Sequence, residues 1–411
     1  MSRPRRSAPS RGRRPRPKAS KGESYVGRRF EVEVGPVAHG GHFVARVPVG
    51  EDSRVVFVRH ALPGEQVVVE ITDGSAGDRF WRGDAVSVLS AAPERVVPPC
   101  PYAGPGLCGG CDFQHVSLPA QRELKATVLR EQLVRLGGLS AADPLVADLV
   151  VEAVPGDVDG LRWRTRQRYA TAPGGGRGMR RFRSHDVIPV DDCLIATDDA
   201  REPGAGTVAE TVEVDGVEHS FEVAADGFWQ VHPGAPAALV SAVMSALAPA
   251  PGESVLDLYA GVGLFSAFLG DAVGPSGRVV AVEGDPTASA LSVGNVPSAE
   301  VIAGDVGTVL GRLEDGPFDL VVLDPPREGA RRAVVEAVVA RSPHKVAYVA
   351  CDPAALARDV AIFAEHGYRL RTLRAFDLFP MTHHVEAVAL LAKTDVRTTA
   401  PDRRRPEAAP R

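Results

Sequence analysis

The pattern of apolar and polar positions changes character twice along the chain. From Tyr25 to about Ser90, short β-branched runs at 29–34, 41–47, 54–58, 65–71 and 82–88 alternate with Gly- and Pro-containing turns. Five short strands punctuated in this way predict a small β-barrel. From about Ala91 to Ala225 the pattern is mixed: a cysteine-bearing Gly/Pro loop, a helix from Leu118 to about Leu136, then strands. From about Asp226, strand-length apolar runs (254–258, 278–282, 319–323, 345–350 and 385–391) are interleaved with helical ones at 262–269 and 331–340. Alternation of that kind predicts an α/β, Rossmann-like domain, an open parallel sheet with helices on both faces. The pattern thus divides the chain into a barrel at 23–90, a mixed α+β central domain at 91–225 and an α/β domain at 226–393, between polar tails at 1–22 and 394–411.

Length agrees with this division, since 411 residues are too many for one core. No stretch approaches the roughly 20 uninterrupted apolar residues of a membrane helix, so a membrane-spanning protein is excluded. The Arg-rich amino end has no apolar segment behind it, and five cysteines are too few for a secreted disulfide scaffold, so a cytoplasmic protein is expected. The net charge of −5 conceals an asymmetry: residues 1–21 carry nine Arg/Lys and no acid, leaving 38 basic against 52 acidic residues in the remainder. A basic Pro/Ser-rich tail of this kind is expected to be disordered and to touch phosphates nonspecifically, or simply to be solvated.

A second basic feature lies inside the chain. Between Leu161 and Arg183 there are eight arginines and no acid, and Arg162, Arg164, Arg166 and Arg168 alternate with Trp163, Thr165 and Gln167. On a strand, that spacing would place four guanidiniums on one face, a ladder suited to successive phosphates of RNA. The alternative is an exposed edge strand protected by charge. In the first domain, Gly40-Gly41, the Val55–Val58 run and the turn Leu62-Pro63-Gly64-Glu65 resemble the TRAM domain, an OB-like RNA-binding barrel.

The chemistry-bearing motifs cluster in the α/β domain. Asp257-Leu258-Tyr259-Ala260-Gly261-Val262-Gly263 joins its first strand to its first helix, where glycines let backbone amides approach a ligand. Ser266 leaves the dinucleotide fingerprint incomplete. The next strand ends in Glu283, placed to bind ribose hydroxyls, and Asp305 follows the third strand, where it could meet an adenine amino group. Together these residues resemble an S-adenosylmethionine site, with a nicotinamide enzyme still open at this point. Asp324-Pro325-Pro326-Arg327 ends another strand, its prolines fixing an extended turn at the sheet's carboxyl edge. Cys351 ends the next strand and is either a small buried hydrophobe or a nucleophile. Glu386 opens the last apolar run, where burial would raise its pKa toward that of a general base.

Read together with Phe228-Trp229-Gln230-Val231 and Thr382-His383-His384-Val385-Glu386, these motifs resemble the RNA uracil-5-methyltransferases over about residues 24–393. The resemblance implies a class I S-adenosylmethionine-dependent fold. It further implies Cys351 as nucleophile, Glu386 as base, and Gln230, Asp257, Tyr259, Gly261, Gly263, Glu283, Asp305 and Asp324 as the methyl-donor and active-site residues. Two departures stand beside the nucleophile: Ala350 and Asp352 replace the family's usual Ser and Asn. The remaining cysteines, Cys100, Cys108, Cys111 and Cys193, could as thiolates hold a 4Fe-4S cluster or a zinc ion, and the resemblance favours the cluster, although the first gap is two residues longer than expected. Ribosomal or transfer RNA is the expected partner, for a monomer with no obligate protein partner and no membrane. Two rivals remain: a methyltransferase acting on an exocyclic amine, and a non-catalytic RNA-binding iron-sulfur protein.

Overall fold

The computed structural model describes residues 22–50, 52–313 and 316–393; the two expected tails, Gly22 apart, lie outside these. Two compact units emerge: one contains the chain up to Pro36 together with His42–Ala92, the other Val37–Gly41 together with Pro93 onward.

In the first unit five strands pair in the order Arg29–Glu33, Gln66–Asp73, Phe80–Ser90, Asp52–Arg59, His42–Val49. The first and last also lie against each other, closing the sheet into a barrel. Alternate residues point inward, so Phe43, Val56, Val58, Val67, Val69, Ile71 and Trp81 form its core. The Leu62–Glu65 turn is tied by a buried carboxylate: Glu65 accepts from the amides of Leu62 at 2.8 Å and Ala92 at 3.1 Å.

The larger unit is built on an eight-stranded sheet. Five parallel strands, Glu300–Ala303, Arg278–Glu283, Ser254–Leu258, Leu320–Leu323 and Lys345–Ala350, lie side by side in that order. The sheet then continues through Glu386–Lys393, antiparallel to both its neighbours, to Tyr368–Phe376 and Val151–Glu152. The expected all-parallel sheet is therefore mixed. Successive residues of each central strand serve opposite faces. Leu256, Leu258, Val321, Leu323, Val346 and Tyr348 join one core with the helices Leu118–Arg135, Arg331–Ala340 and Pro353–Glu365. Val255, Leu320, Val322, Ala347 and Val349 join the other with Ala235–Leu247 and Leu264–Val273. Burial on both faces explains why these strands read as unbroken apolar runs.

The arginine ladder is not formed. Only Arg164–Arg166 is extended, and Arg162 takes a left-handed φ of 53°. Its guanidinium pairs with Asp192 at 2.5 Å and donates to the Ala196 carbonyl. Arg164 donates to the Arg166 carbonyl, and burial together with the charge of Arg201 lowers the pKa of Arg166. A local ion pair and backbone acceptors, which the 162–168 spacing does not reveal, engage the guanidiniums of Arg162 and Arg164. The helix that follows strand Ser254–Leu258 also begins later than expected, at Leu264, because Gly261 and Gly263 hold left-handed φ angles of 58° and 96°.

Helix Leu118–Arg135 carries an unusual buried stripe: Gln121, Lys125 and Gln132 share it with Leu129 and Leu133. Lys125 and Asp377 form a pair with no exposed side-chain surface, at 2.5 Å, and Lys125 also donates to the Phe379 carbonyl. Gln121 accepts from the Met381 amide at 2.8 Å and donates to the Phe113 and Val116 carbonyls. The helix thus clamps residues 377–381, which lead into Glu386. Removing one member strands a buried charge, so Lys125→Ala should destabilise the protein by about 3–5 kcal/mol, measured by chemical denaturation. A loss below about 1 kcal/mol, the range of exposed pairs, would show that the pair is not buried in solution.

Candidate active site

The parallel strands deliver their carboxyl ends to one edge. Strand Ser254–Leu258 ends in the turn Tyr259–Gly263, where the amides of Tyr259 and Ala260 both donate to the Val282 carbonyl. Gly263 is required here: beyond its positive φ, a Cβ would lie 2.6 Å from the Val296 side chain. Glu283 closes the turn from the adjacent strand, accepting from the Gly261 amide at 2.7 Å and the Asp285 amide at 2.6 Å. Asp305 is exposed and caps helix Val306–Leu310 through the Thr308 amide and hydroxyl, interactions that lower its pKa. Asp257 has no exposed surface. One of its oxygens accepts from the Ser266 hydroxyl at 2.6 Å, and burial pushes its pKa up to about 6. Ser266, the residue that breaks the dinucleotide fingerprint, is therefore the partner of Asp257. Trp229 and Gln230 are buried, and next to them the Val231 carbonyl accepts from both the amide and the hydroxyl of Thr165.

Asp324, Cys351 and Glu386 come together in an electrostatic group. Burial raises Asp324 to about 7, and the charges of Asp257 and Glu283 add to the rise. Burial, then Glu386 and Asp324, push the Cys351 thiol up to about 12, against which Arg327 acts. Glu386, fully buried, is held well above the usual carboxylate range by desolvation and Asp324, with Arg327 again opposing. Arg327 is thus the cation that favours the charged forms of both.

A cavity of about 710 Å³ opens beside this group, lined by Cys351, Arg327, Lys125, Phe113, His383 and His384 among others. His384 approaches Arg327 at 3.5 Å, and burial with the charges of His383 and Arg327 lowers it to about 3, so it is a neutral imidazole. His383 is 2.5 Å from Asp112. Asp352, the departure beside Cys351, uses one oxygen to cap helix Pro353–Glu365 through Ala355 and the other to meet His39, from the Val37–Gly41 stretch of the same unit, at 3.0 Å. Those partners turn the Asp352 carboxylate to the helix end and to His39, and its charge is the smallest influence on Cys351.

Two further supports have weak sequence signals. Asp359, a buried acid among Leu356, Ala357 and Val360 of helix Pro353–Glu365, accepts from the Ala330 amide at 2.8 Å and the Tyr348 hydroxyl at 2.6 Å. It therefore locks the end of the Asp324–Gly329 turn. Lys125 is the other, recognisable only as a charge on the buried stripe of its helix.

The four remaining cysteines, Cys100, Cys108 and Cys111 of one loop and the distant Cys193, line one separate pocket, with Arg164, Gln167 and Met179 among its other walls. Burial raises the Cys111 thiol, with Cys108, Cys193 and Cys100 adding to the rise, while Gln114 donates to its sulfur at 3.5 Å. An all-thiol donor set around one pocket fits a thiophilic metal or cluster in chemistry. Yet among the described residues no group of three or more His, Cys, Asp or Glu side chains stands ready as a metal centre. None of the helices among the described residues is long and apolar enough to cross a membrane.

Comparison with known proteins places the chain. A TRAM domain model matches residues 23–86, and a tRNA (uracil-5-)-methyltransferase model matches residues 310–394. An uncharacterized RNA methyltransferase of Streptomyces avermitilis is 43% identical over 89% of this chain and 98% of its own length. A second, from Streptomyces coelicolor, is 42% identical over 90% of this chain and 93% of its own. In fold, the chain is similar to the tRNA (uracil-54, C5)-methyltransferase of Pyrococcus abyssi solved with S-adenosyl-L-homocysteine. That structure has a TM-score of 0.64 and 20% identity, and the match covers 88% of this chain and 99% of that one. With a TRAM barrel, a class I methyltransferase sheet and close relatives along almost its whole length, the chain belongs to the RNA uracil-5-methyltransferase family.

Proposed function

We propose that this protein methylates carbon 5 of a uridine in ribosomal or transfer RNA, a cytoplasmic reaction yielding 5-methyluridine. The observation that carries the reading is the convergence of Cys351, Arg327, Asp324 and Glu386 at one sheet edge. Carbon 5 of uracil is too weak a nucleophile to take a methyl group directly. Cys351 overcomes this by adding its sulfur to carbon 6, sending the ring electrons toward the carbon 4 carbonyl as an enolate. S-adenosylmethionine, when bound, supplies the methyl group as an electrophilic sulfonium. Glu386 then takes the carbon 5 proton, the double bond re-forms, and the Cys351 thiolate is expelled. The target nucleotide must leave its stack to reach the cavity.

The Tyr259–Gly263 turn, Glu283, Asp305, Gln230 and Asp324 would hold the methyl donor, with Asp257 acting through the turn it supports rather than by touching the ligand. For the cysteine pocket we propose a 4Fe-4S cluster bound by Cys100, Cys108, Cys111 and Cys193. The cluster would be structural, because methyl transfer moves no net electrons.

Cys351→Ala should abolish both the covalent adduct and methylation. Glu386→Gln keeps the nucleophile but loses the base, with a cost of about 10²- to 10⁴-fold, so a methylated enzyme–RNA complex resistant to denaturing electrophoresis should accumulate in that variant alone. A Cys351→Ala protein that still methylates RNA would falsify the mechanism and return the function to exocyclic-amine methylation.

The pH dependence follows from the raised thiol. With Cys351 near 12 and Glu386 also raised, both reactive forms are the deprotonated ones. The single-turnover rate should therefore climb with pH across the neutral range. Arg327→Gln removes the charge that lowers both groups and should move the profile to higher pH. A profile that stays in place in that variant removes Arg327 from the scheme.

Anaerobic purification should give a brown protein containing iron and acid-labile sulfide. Stoichiometric zinc without iron would replace the cluster by a metal ion.

A further inference from the structure

Once the expected ladder is dismantled, the remaining arginines gather elsewhere. A groove of about 980 Å³ is lined by Arg168, Arg180, Arg181 and Arg183, with Tyr169 and Phe182 among its walls, and no acidic side chain lines it. All four arginines are exposed, and none has an ion-pair partner among the described residues. Nearby arginines are already paired: Arg162 is held by Asp192 and Arg177 by Glu202. Four uncompensated guanidiniums around one concavity are costly to the folded protein through mutual repulsion unless an anion occupies it.

The groove is held by a small sheet and by the cysteine loop. Ala170–Thr171, Arg177–Arg180 and Val187–Pro189 pair antiparallel, and the turn after Arg180 carries Arg181, Phe182 and Arg183. The Gly109 amide donates to the Arg180 carbonyl at 3.0 Å. Gly109 lies so close to this turn that a Cβ would sit 2.6 Å from the Phe182 backbone. Cys108 is bridged to Arg181 in the same way. Three residues beyond Gly109, Asp112 holds His383, a wall of the Cys351 cavity. A strand lying in the groove is therefore one short loop from the nucleophile.

We propose that this groove binds unpaired RNA flanking the target uridine. The inference rests on the RNA-methyltransferase reading and deepens it. Forked guanidiniums match the spacing of phosphates, and Tyr169, whose ring already carries the Arg177 guanidinium 4.7 Å from its centroid, turns its other face, with Phe182 beside it, to unpaired bases that stack whatever their sequence. A duplex keeps its bases stacked inward and has no use for those rings.

The test uses the full chain and a fluorescein-labelled oligouridylate of about 16 nucleotides, the upper end of typical single-strand sites. Arg180→Glu/Arg183→Glu should weaken binding at least 10-fold and flatten the dependence of log affinity on log salt by about 0.7 for each phosphate no longer neutralised. Tyr169→Ala should weaken binding by about 5- to 100-fold, as for loss of a stacked base, while leaving the salt slope unchanged. Binding of S-adenosylhomocysteine by calorimetry and the melting temperature should match wild type in every variant, separating a surface effect from a folding defect. Unchanged affinity and slope in the charge-reversal variant overturn the groove, as does equal capture of polyglutamate by the wild type, which would mark a general anion site. Methylation of total RNA, measured separately, distinguishes the two levels. A wild type that methylates while groove variants bind normally loses only the groove. A wild type that neither binds nor methylates RNA loses the function and the groove with it.

Discussion

The central strands of the sheet are covered on both faces, and this burial dictates where chemistry can occur. Leu256, Leu258, Val321 and Tyr348 face one layer of helices while Val255, Leu320, Val322 and Val349 face the other. No side chain within these strands can meet a substrate, so reactive groups can stand only where the strands run out. Asp257 near the end of one strand, Asp324 after another, Cys351 after a third and Glu386 at the start of the antiparallel one accordingly share a single edge. The antiparallel direction matters: it brings the beginning of the last strand, rather than its end, to the carboxyl edge of the others.

Crowding acids at a dry edge sets the protonation of the site. Beyond burial, Asp257 and Glu283 raise Asp324, and Asp324 raises Glu386, because ionising a second carboxyl nearby without water is unfavourable. The same field holds Cys351 as a thiol, since a thiolate would add another negative charge. Arg327 is placed by the Asp324-Pro325-Pro326 turn to oppose this field, and Asp359 and Tyr348 lock the end of that turn. With its thiol protonated, Cys351 is protected from stray alkylation and oxidation, which act on thiolates.

The region before the sheet supplies rigidity to this edge. The Lys125–Asp377 pair and the Gln121 hydrogen bonds tie helix Leu118–Arg135 to the segment that enters Glu386. Asp112 and Phe113 donate their amides to the Met381 carbonyl, joining the cysteine loop to the same segment. The cysteine pocket and the Cys351 cavity are thus separate in space but share a support. A group bound by the four cysteines would stiffen that support without touching the reaction.

What could be read from the sequence was local or periodic. The strands Ser254–Leu258 and Lys345–Ala350 are delimited as their apolar runs suggest because both their faces are buried, and the helix Arg331–Ala340 because its one buried face, Val334, Val335 and Val338, carries the helical spacing. The TRAM barrel strands are similarly plain, since one buried face imposes strict alternation. The candidate site residues could be singled out because each follows an apolar strand directly, or opens one, where a polar side chain has to be at the edge. Long-range pairing was not legible. That Asp257 would take its hydrogen bond from Ser266, that Lys125 would be buried against Asp377, and that Arg162 would turn aside to Asp192 all depend on which segments the sheet order brings together. The sequence by itself determined the kinds of element and the chemistry at their ends. Only the tertiary structure decided which charges are compensated, because that depends on distances between residues up to 313 positions apart, and no local pattern encodes them.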